Sequence, residues 1–243
     1  MQTKFLVVIP FHNVKPYIGE CANSLMSQRY RHWRAILSDD ASDDDSARYI
    51  PTDGRFTIRR SERRMTALAN IHHSIVSSSP SDDDVICILD GDDHLIRPDA
   101  LDILSAIYSD PTAMLSYGQY VNSNGGIGHC RALPSEAFGV LRRIGFWTSH
   151  MRTFRYALYR ELMRQDPGLT CYRDAGGEMY TMCADVATMI PLLEIAGHDR
   201  VRFNPHPIYY YRQHPQNDHA KDQSMQKRME IEIFSKKPFD RLK

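Results

Sequence analysis

The stretch Val85-Ile86-Cys87-Ile88-Leu89-Asp90-Gly91-Asp92-Asp93 is the part of this chain that decides the fold. Its first five residues form an uninterrupted apolar run, which predicts a buried strand. Three carboxylates follow within four residues, so the strand brings negative charge to one point at the edge of a sheet. Two carboxylates about 4 Å apart repel by about 4 kcal/mol at an effective dielectric constant near 20. A divalent cation between them removes this repulsion.

The cluster Asp90-Gly91-Asp92-Asp93 therefore suggests a metal–phosphate site. Mg²⁺ usually binds one or two carboxylates and fills its other positions with water and substrate phosphates. The alternative is a turn in which the aspartates only cap the next helix, because Asp is common at turns and caps. On the sequence alone both interpretations stay open.

Strands and helices alternate along the first half of the chain. The patterns predict strands over residues 5–9, 33–38, 56–59 and 85–89, and helices over residues 17–28, 66–77 and 98–108. This alternation over about 110 residues predicts an α/β fold with a mostly parallel central sheet and helices on both faces. Ligands of such sheets bind beyond the carboxyl ends of the strands. Pro10 to Asn13, Asp39-Asp40 and Asp90 to Asp93 should therefore lie on one rim.

The second half is predicted to complete the same domain, which would cover residues 1–219. Its patterns predict strands over residues 114–121, 149–154, 201–203 and 208–212, and a helix over residues 185–196. Residues 220–243 are expected to form a C-terminal helical extension, with a terminal helix over residues 221–234. This helix packs on its own domain or joins two chains in a homodimer.

Composition excludes several classes of protein. Lys+Arg and Asp+Glu are both 30, so the net charge is zero, which argues against nucleic acid as the main partner. The five cysteines are odd in number and form no C-x-x-C pair, which suits reduced thiols in the cytosol. No apolar stretch approaches about 18 residues, so no membrane span is expected. The apolar run before Pro10 is too short for a signal peptide, and the expected location is cytoplasmic.

Two candidate ligand contacts follow strands in the first half. Asp40 lies at a predicted strand end, where its carboxylate can accept a hydrogen bond from a ligand N–H such as the imide of uracil; otherwise it caps a helix. Arg64 ends a basic cluster just before a predicted helix. Arginine binds phosphate through a planar fork, and a helix N-terminus favours an anion. The alternative for Arg64 is a solvated charged loop.

Three further candidates lie in the second half. Asp185 begins a predicted helix, where the positive dipole end keeps a carboxylate ionised near neutral pH and suits a base; the alternative is a plain N-cap. His214 follows a predicted strand and is a metal ligand, a phosphate contact or a structural residue. Trp147 and the run Tyr209 to Tyr211 could form a platform for a sugar ring, although aromatic residues more commonly fill a core.

Together these motifs resemble those of the family 2 glycosyltransferases of the GT-A fold, and the resemblance covers about residues 4 to 219. It rests on order and spacing rather than on one motif. The matching segments are Val7 to Asn13, Ser24 to Gln28, Leu37 to Asp43, Asp90 to Asp93 and Tyr210 to His214.

The resemblance implies a Rossmann-like, mostly parallel sheet with a nucleotide-binding half, residues 1–110, and a smaller acceptor-binding half, residues 111–219. The residues that it implies for the nucleotide are Pro10, Phe11, Asn13, Asp40 and Asp92, and the basic cluster adds Arg64 to them. Those implied for a Mn²⁺ or Mg²⁺ ion are Asp93 as main ligand, Asp92 and His214. Those expected to contact acceptor or phosphate are Asp90, Trp147, His150, Arg152 and Arg212.

Two segments depart from the family pattern. The third segment reads Leu68-Ala69-Asn70 where members often have Ala-Arg-Asn, which leaves the phosphate or ribose contact open. The base is often the Asp of a Glu-Asp pair, and here the pair is Ala184-Asp185, so the aspartate is retained and its neighbour is not.

The activity implied is an inverting, metal-dependent transfer of a sugar from a UDP-linked donor to a hydroxyl of a glycan or glycoconjugate, with Asp185 as the base. A nucleotidyltransferase that makes the sugar nucleotide is a second hypothesis, but it would usually carry a glycine-rich loop after the first strand. Here that loop is Pro10-Phe11-His12-Asn13. A non-catalytic module that binds sugar nucleotides or glycans is the third hypothesis.

Overall fold

The computed structural model describes residues 2–215, 217 and 222–243. The strands are β1 (Phe5–Phe11), β2 (Trp33–Asp39), β3 (Phe56–Arg60), β4 (Val85–Ile88), β5 (His94–Leu95), β6 (Leu115–Asn122), β7 (Arg152–Arg155) and β8 (Val201–Tyr211). The helices are α1 (Ile18–Met26), α2 (Ala67–Ser77), α3 (Ala100–Tyr108), α4 (Tyr156–Gln165), α5 (Ala184–Ala196) and α6 (Gln223–Ser235).

A single sheet runs through both halves of the chain in the order β3-β2-β1-β4-β7-β6-β8-β5. The first half contributes β3, β2, β1 and β4, which are mutually parallel. Every residue of β1 and β4 is buried, as expected for parallel strands covered on both faces. The predicted α/β class with a mostly parallel sheet is confirmed.

Strands β6, β7 and β8 of the second half, with the short β5 of the first half, complete the same sheet. Strand β7 runs antiparallel to β4 and β6, β8 runs parallel to β6, and the short β5 runs antiparallel to β8. The strands predicted over residues 201–203 and 208–212 are two paired stretches of the single strand β8. Its pairing with β6 shifts register between them, where Pro205 and Pro207 lack the N–H that a ladder needs.

Helix α4 is an element that we did not predict. Its Leu158, Tyr159 and Leu162 are buried, and this spacing is the 3.6-residue periodicity of an amphipathic helix. Helix α5 is buried nearly all round and packs on α2, α4 and β6. It ends at Gly197, whose φ of 68° favours glycine. The first turn of α5 carries Asp185.

The terminal helix begins two residues later than predicted. Lys221 and the expected domain boundary at residues 219–220 lie outside the described residues. Asp222 caps α6 by accepting a hydrogen bond from the Met225 N–H at 2.8 Å. The helix packs on α5 of its own chain, and its Ile233 is buried.

Two expectations from composition can be compared with the structure. Among the helices that are described, none has both the length and the apolar character needed to cross a membrane. All five cysteines are buried, and no disulfide bond joins any of them in the described part of the chain.

Candidate active site

A cleft of about 510 Å³ opens where β1, β2 and β4 end. It brings together most of the side chains that the sequence singled out. Those that line it are Pro10, Phe11, Asn13, Asp40, Arg64, Asp90, Asp92, Asp93, His150, Arg152, Asp185 and His214. Trp147 and Arg212 are outside this set. The Trp147 indole donates to the Ile144 carbonyl at 2.7 Å and stacks under Arg131.

Gly91 allows the aspartate motif to approach the loop after β1. A Cβ atom at this position would lie 2.5 Å from the Phe11 Cβ, closer than real side chains come. The Gly91 N–H donates to the Pro10 carbonyl at 3.2 Å, and the Asp93 N–H donates to the Asp90 carbonyl at 3.0 Å. The glycine therefore lets the three carboxylates and Phe11 share one rim.

Asp93 is the most buried carboxylate of the motif, with 1% of its surface exposed. Its Oδ2 accepts a hydrogen bond from the Tyr209 hydroxyl at 2.7 Å, and its Oδ1 accepts one from the Arg212 backbone N–H at 2.8 Å. Burial, followed by the charges of Asp92 and Asp90, raises the pKa of Asp93 well above its ordinary value. A cation at this point would favour the ionised form, which is the behaviour expected of a metal ligand.

Asp92 is bound to the segment that follows β8. Its Oδ2 lies 2.8 Å from the His214 Nε2 and 3.3 Å from the Asn217 amide nitrogen. The predicted metal residues Asp92 and His214 therefore contact each other directly.

Arg212 supports the same motif from outside the cleft. Its Nε donates to the Asp92 carbonyl at 2.9 Å, and its Nη2 donates to the Glu20 carboxylate. The guanidinium lies 4.7 Å from the ring centre of Tyr17 and 5.2 Å from that of Tyr210. The side chain that we expected to contact acceptor or phosphate is thus held between α1, β8 and the motif.

Asp90 faces the second half of the chain. Its Oδ2 pairs with the Arg152 Nη2 at 2.6 Å and lies 3.8 Å from the His150 Nδ1. His150 is 7% exposed and stacks on Tyr209 at 4.5 Å. Burial, followed by the charge of Arg152, lowers the pKa of His150 to about 3, so its ring is neutral near pH 7.

Donor atoms of Asp90, Asp93 and His150 lie within 4.8 Å of one another. The His150 Nδ1 is buried and has no hydrogen-bond partner among the described residues. Carboxylates suit Mg²⁺ and Mn²⁺, and a neutral imidazole can join them as a ligand. The residues present therefore fit a divalent cation, and His150, which we expected only as an acceptor or phosphate contact, is a candidate metal ligand.

Asp40 connects the end of β2 with the loop before α2. Its carboxylate accepts hydrogen bonds from the N–H groups of Met65 at 2.6 Å and Thr66 at 2.9 Å, and the Arg64 Nε lies 3.3 Å away. A carboxylate has about four acceptor positions, so capacity for a ligand N–H remains. Thr66 has φ 73°, a conformation that β-branched residues rarely adopt and that clusters at functional sites.

Asn13 fixes the loop after β1. Its backbone N–H donates to the Ser42 hydroxyl at 3.0 Å, and its side-chain Oδ1 accepts from the Asp43 N–H at 2.9 Å. The loops that follow β1 and β2 are thereby joined into one wall of the cleft.

Asp185 lies half-buried in the first turn of α5, and its Oδ1 accepts a hydrogen bond from the Val186 N–H at 2.9 Å. Burial raises the pKa of Asp185, and Arg152 opposes this shift. A helix N-terminus alone would lower the pKa of this carboxyl, because it stabilises negative charge. A carboxyl whose pKa is raised toward the working pH is better suited to accept a proton.

Several residues of the site were not assigned these roles from the sequence. Tyr209 was expected only as a sugar platform, and its hydroxyl instead connects Asp90 and Asp93: it accepts from the Asp90 N–H at 3.1 Å. Asn217, Thr181 and Gln226 also line the cleft. No spacing or composition signal marks these polar residues, because they reach the site only through the tertiary fold.

The fold is that of the GT-A glycosyltransferases. It matches the crystal structure of S. aureus TarS 1-349 in complex with UDP-GlcNAc, with a TM-score of 0.67 and 16% identity, over 90% of this chain and 61% of that one. It also matches the mannosyltransferase PcManGT from Pyrobaculum calidifontis in complex with GDP-Man and Mn²⁺, with a TM-score of 0.59 and 18% identity, over 90% and 60% of the two chains.

The chain belongs to glycosyl transferase family 2, whose model matches residues 6–165. A curated relative, glycosyltransferase GlyG of Streptococcus pneumoniae serotype 4, is 27% identical over 120 residues. That alignment covers 48% of this chain and 38% of the relative. The chain thus spans well under two thirds of the relative's length.

Proposed function

We propose that this chain is an inverting, metal-dependent glycosyltransferase that moves a sugar from a nucleotide-diphosphate donor to a hydroxyl of a glycan or glycoconjugate. The observation that carries the proposal is that Asp40, Asp93 and Asp185, from three separate segments, line one cleft. Family membership supports the reaction class. A UDP-linked donor is favoured because TarS, the structural neighbour with the TM-score of 0.67, is in complex with UDP-GlcNAc.

The wall formed by the loops after β1 and β2 holds the nucleoside. Pro10, Phe11 and Asn13 give it shape, and the remaining acceptor capacity of Asp40 receives a hydrogen bond from the base N–H. Arg64 lies beside Asp40 and offers its guanidinium fork to the ribose or phosphate side.

The carboxylates at the end of β4 hold the divalent cation, Mn²⁺ or Mg²⁺. Asp93 is the main ligand, with Asp92 and His214 on one side and Asp90 and His150 on the other as candidate partners. When bound, such an ion stabilises negative charge on the diphosphate leaving group. Tyr209 and Arg212 hold the Asp93 carboxylate in place.

Asp185 accepts the proton of the acceptor hydroxyl as that oxygen attacks the anomeric carbon from the face opposite the leaving group, which inverts the anomeric centre. Its partial burial reduces its contact with water, and the Val186 N–H orients one oxygen. Arg152, which lowers the pKa of Asp185, also binds Asp90. Its positive charge partly offsets the repulsion between the two carboxylates.

A thermal-shift panel of sugar nucleotides with and without Mn²⁺ tests the proposal. A donor that binds the folded state raises the melting temperature by mass action, and we expect a UDP-sugar to do so only with Mn²⁺. No shift with any sugar nucleotide would contradict the proposal. The donor that binds is then incubated with the protein and Mn²⁺, and released UDP is measured. A transferase releases UDP, whereas a binding module does not.

A further inference from the structure

Helix α6 contributes a wall to the proposed active site. Its residue Gln226 lines the cleft together with Thr181, Cys183, Ala184 and Asp185. The Cys183 thiol donates to the Gln226 carbonyl at 3.4 Å, and the Thr181 hydroxyl lies 3.8 Å from the Met229 sulfur. The helix therefore packs directly on the segment that leads into Asp185.

Helix α6, which carries Gln226, is held by hydrogen bonds at both of its ends. At the first turn, Asp222 caps the helix, and its carbonyl accepts the Gln226 N–H at 3.0 Å. At the last turn, the Ile233 carbonyl accepts a hydrogen bond from Arg142 at 2.6 Å. Arg142 is itself held by Glu194 of α5 in a buried ion pair. Helix α6 is thus anchored at both ends and places Gln226 at the cleft.

The Gln226 side chain is chemically suited to a hydroxyl ligand. Its amide has two donor hydrogens and one acceptor oxygen, and it makes no hydrogen bond to another side chain or backbone group within residues 2–215, 217 and 222–243. A hydroxyl also donates and accepts, so amide and hydroxyl are complementary. A site built to bind a substrate hydroxyl discriminates strongly against an analogue that lacks it.

We propose that α6 forms the acceptor-binding wall and that Gln226 is a specificity-determining residue, which binds a hydroxyl of a carbohydrate acceptor next to the one that attacks. This inference rests on the proposed transferase function and adds the helix and the residue that bind the carbohydrate acceptor. It places the acceptor against the Thr181–Asp185 segment, where the base lies.

The test compares Gln226→Leu with Gln223→Leu, a matched control in the exposed first turn of the same helix. The donor is the UDP-sugar selected by thermal shift, and the acceptor probes are the p-nitrophenyl glycosides of glucose, galactose, mannose, N-acetylglucosamine and N-acetylgalactosamine. Three quantities are measured: donor affinity, donor hydrolysis without acceptor, and kcat/KM for transfer to each glycoside.

We expect Gln226→Leu to keep donor affinity and hydrolysis within about twofold and to lower kcat/KM for transfer by about tenfold, the value of one hydrogen bond. The loss should fall on the glycosides that the wild type prefers, and Gln223→Leu should behave as wild type. Gln226→Asn, with the same amide on a shorter side chain, should recover part of the activity.

Equal transfer by Gln226→Leu and wild type would overturn the role of Gln226. Donor hydrolysis by the wild type without transfer to any of the five glycosides would overturn the carbohydrate acceptor and leave the proposed donor chemistry standing. A wild type that binds no sugar nucleotide would overturn the proposed function, and the inference with it.

Discussion

The Tyr209 hydroxyl donates a hydrogen bond to Asp93 at 2.7 Å, between residues that lie 116 positions apart in the chain. The same hydroxyl accepts the Asp90 N–H. Strand β8 of the second half therefore orients the carboxylate that we expect to bind the metal. The two halves share a sheet, and this hydroxyl joins them at the site itself.

Tyr209→Phe should weaken metal-dependent donor binding by about fivefold to tenfold, the value of one hydrogen bond, because Asp93 loses one of the two hydrogen bonds that its side chain accepts within the described residues. Titration of UDP in the presence of Mn²⁺ measures the change. The matched control is Tyr210→Phe, whose ring stacks on His94. Identical affinities in Tyr209→Phe and wild type would show that the hydroxyl does not orient Asp93.

Arg212→Ala should raise the KM for the donor more than it lowers kcat, because Arg212 holds the Asp92 backbone and does not line the cleft. Arg212→Lys should recover only part of the loss, since an ammonium cannot reproduce the planar fork or its stacking. Steady-state kinetics with varied donor give both parameters. A selective loss of kcat would instead indicate direct contact with the reacting groups.

Asp185→Asn should lower turnover by about 10²–10⁴-fold, the usual contribution of a general base, and should leave donor binding intact. Single-turnover transfer and donor titration together measure this. A comparable loss of donor affinity would refute the assignment of the base.

The raised pKa of Asp185 also gives a stability signature. A carboxyl whose pKa is higher in the folded state than in the unfolded state stabilises the fold at pH values below its unfolded pKa. That contribution is lost as the pH rises through the folded pKa. Asp185→Asn should therefore be more stable than wild type at pH 7, and the difference should shrink below the ordinary carboxylate pKa of about 3.9. Urea denaturation at pH 7 and at a pH below about 3.9 measures the difference in the free energy of unfolding. An Asp185→Asn variant less stable than wild type at pH 7 would contradict the conclusion that burial raises the pKa of Asp185.

The ion pair between Arg142 and Glu194, which holds the end of α6, should contribute to the free energy of unfolding. Arg142 and Glu194 are each 8% exposed in their side chains and pair at 2.7 Å. Arg142→Ala should cost about 3–5 kcal/mol, because it leaves a buried carboxylate unpaired. The exposed neighbour variant Arg143→Ala is the control. A loss below about 1 kcal/mol, the value of a surface pair, would show that the ion pair is solvated.

The first half of the fold was predictable because its signals are local. Apolar runs such as Val85 to Leu89 predicted buried strands. Because parallel strands end at the same edge of a sheet, we expected Asp40 and Asp93 to lie close together, and both line the cleft. Resemblance to family motifs added Asp185, which reaches the same cleft from α5.

The contacts between the halves were not predictable, because they depend on packing across long sequence separations. Local periodicity gives no signal for the Tyr209–Asp93 hydrogen bond or for the position of His150 beside Asp90. It also gives none for the position of Gln226 at the cleft. The raised pKa of Asp185 was not predictable either, because it also depends on long-range packing. Burial against other segments raises this pKa more than the dipole of its own helix lowers it. Helix α4 was different: its periodicity was present in the sequence and we missed it.

Calorimetric titration of UDP into wild type and Asp93→Ala, each with and without Mn²⁺, tests the central claim most directly. The claim is that carboxylates from the end of β4 hold a cation that binds the donor diphosphate. We predict that Mn²⁺ strengthens UDP binding to the wild type and has no effect on UDP binding to Asp93→Ala. An equal gain from Mn²⁺ in both proteins, or none in the wild type, would contradict the account.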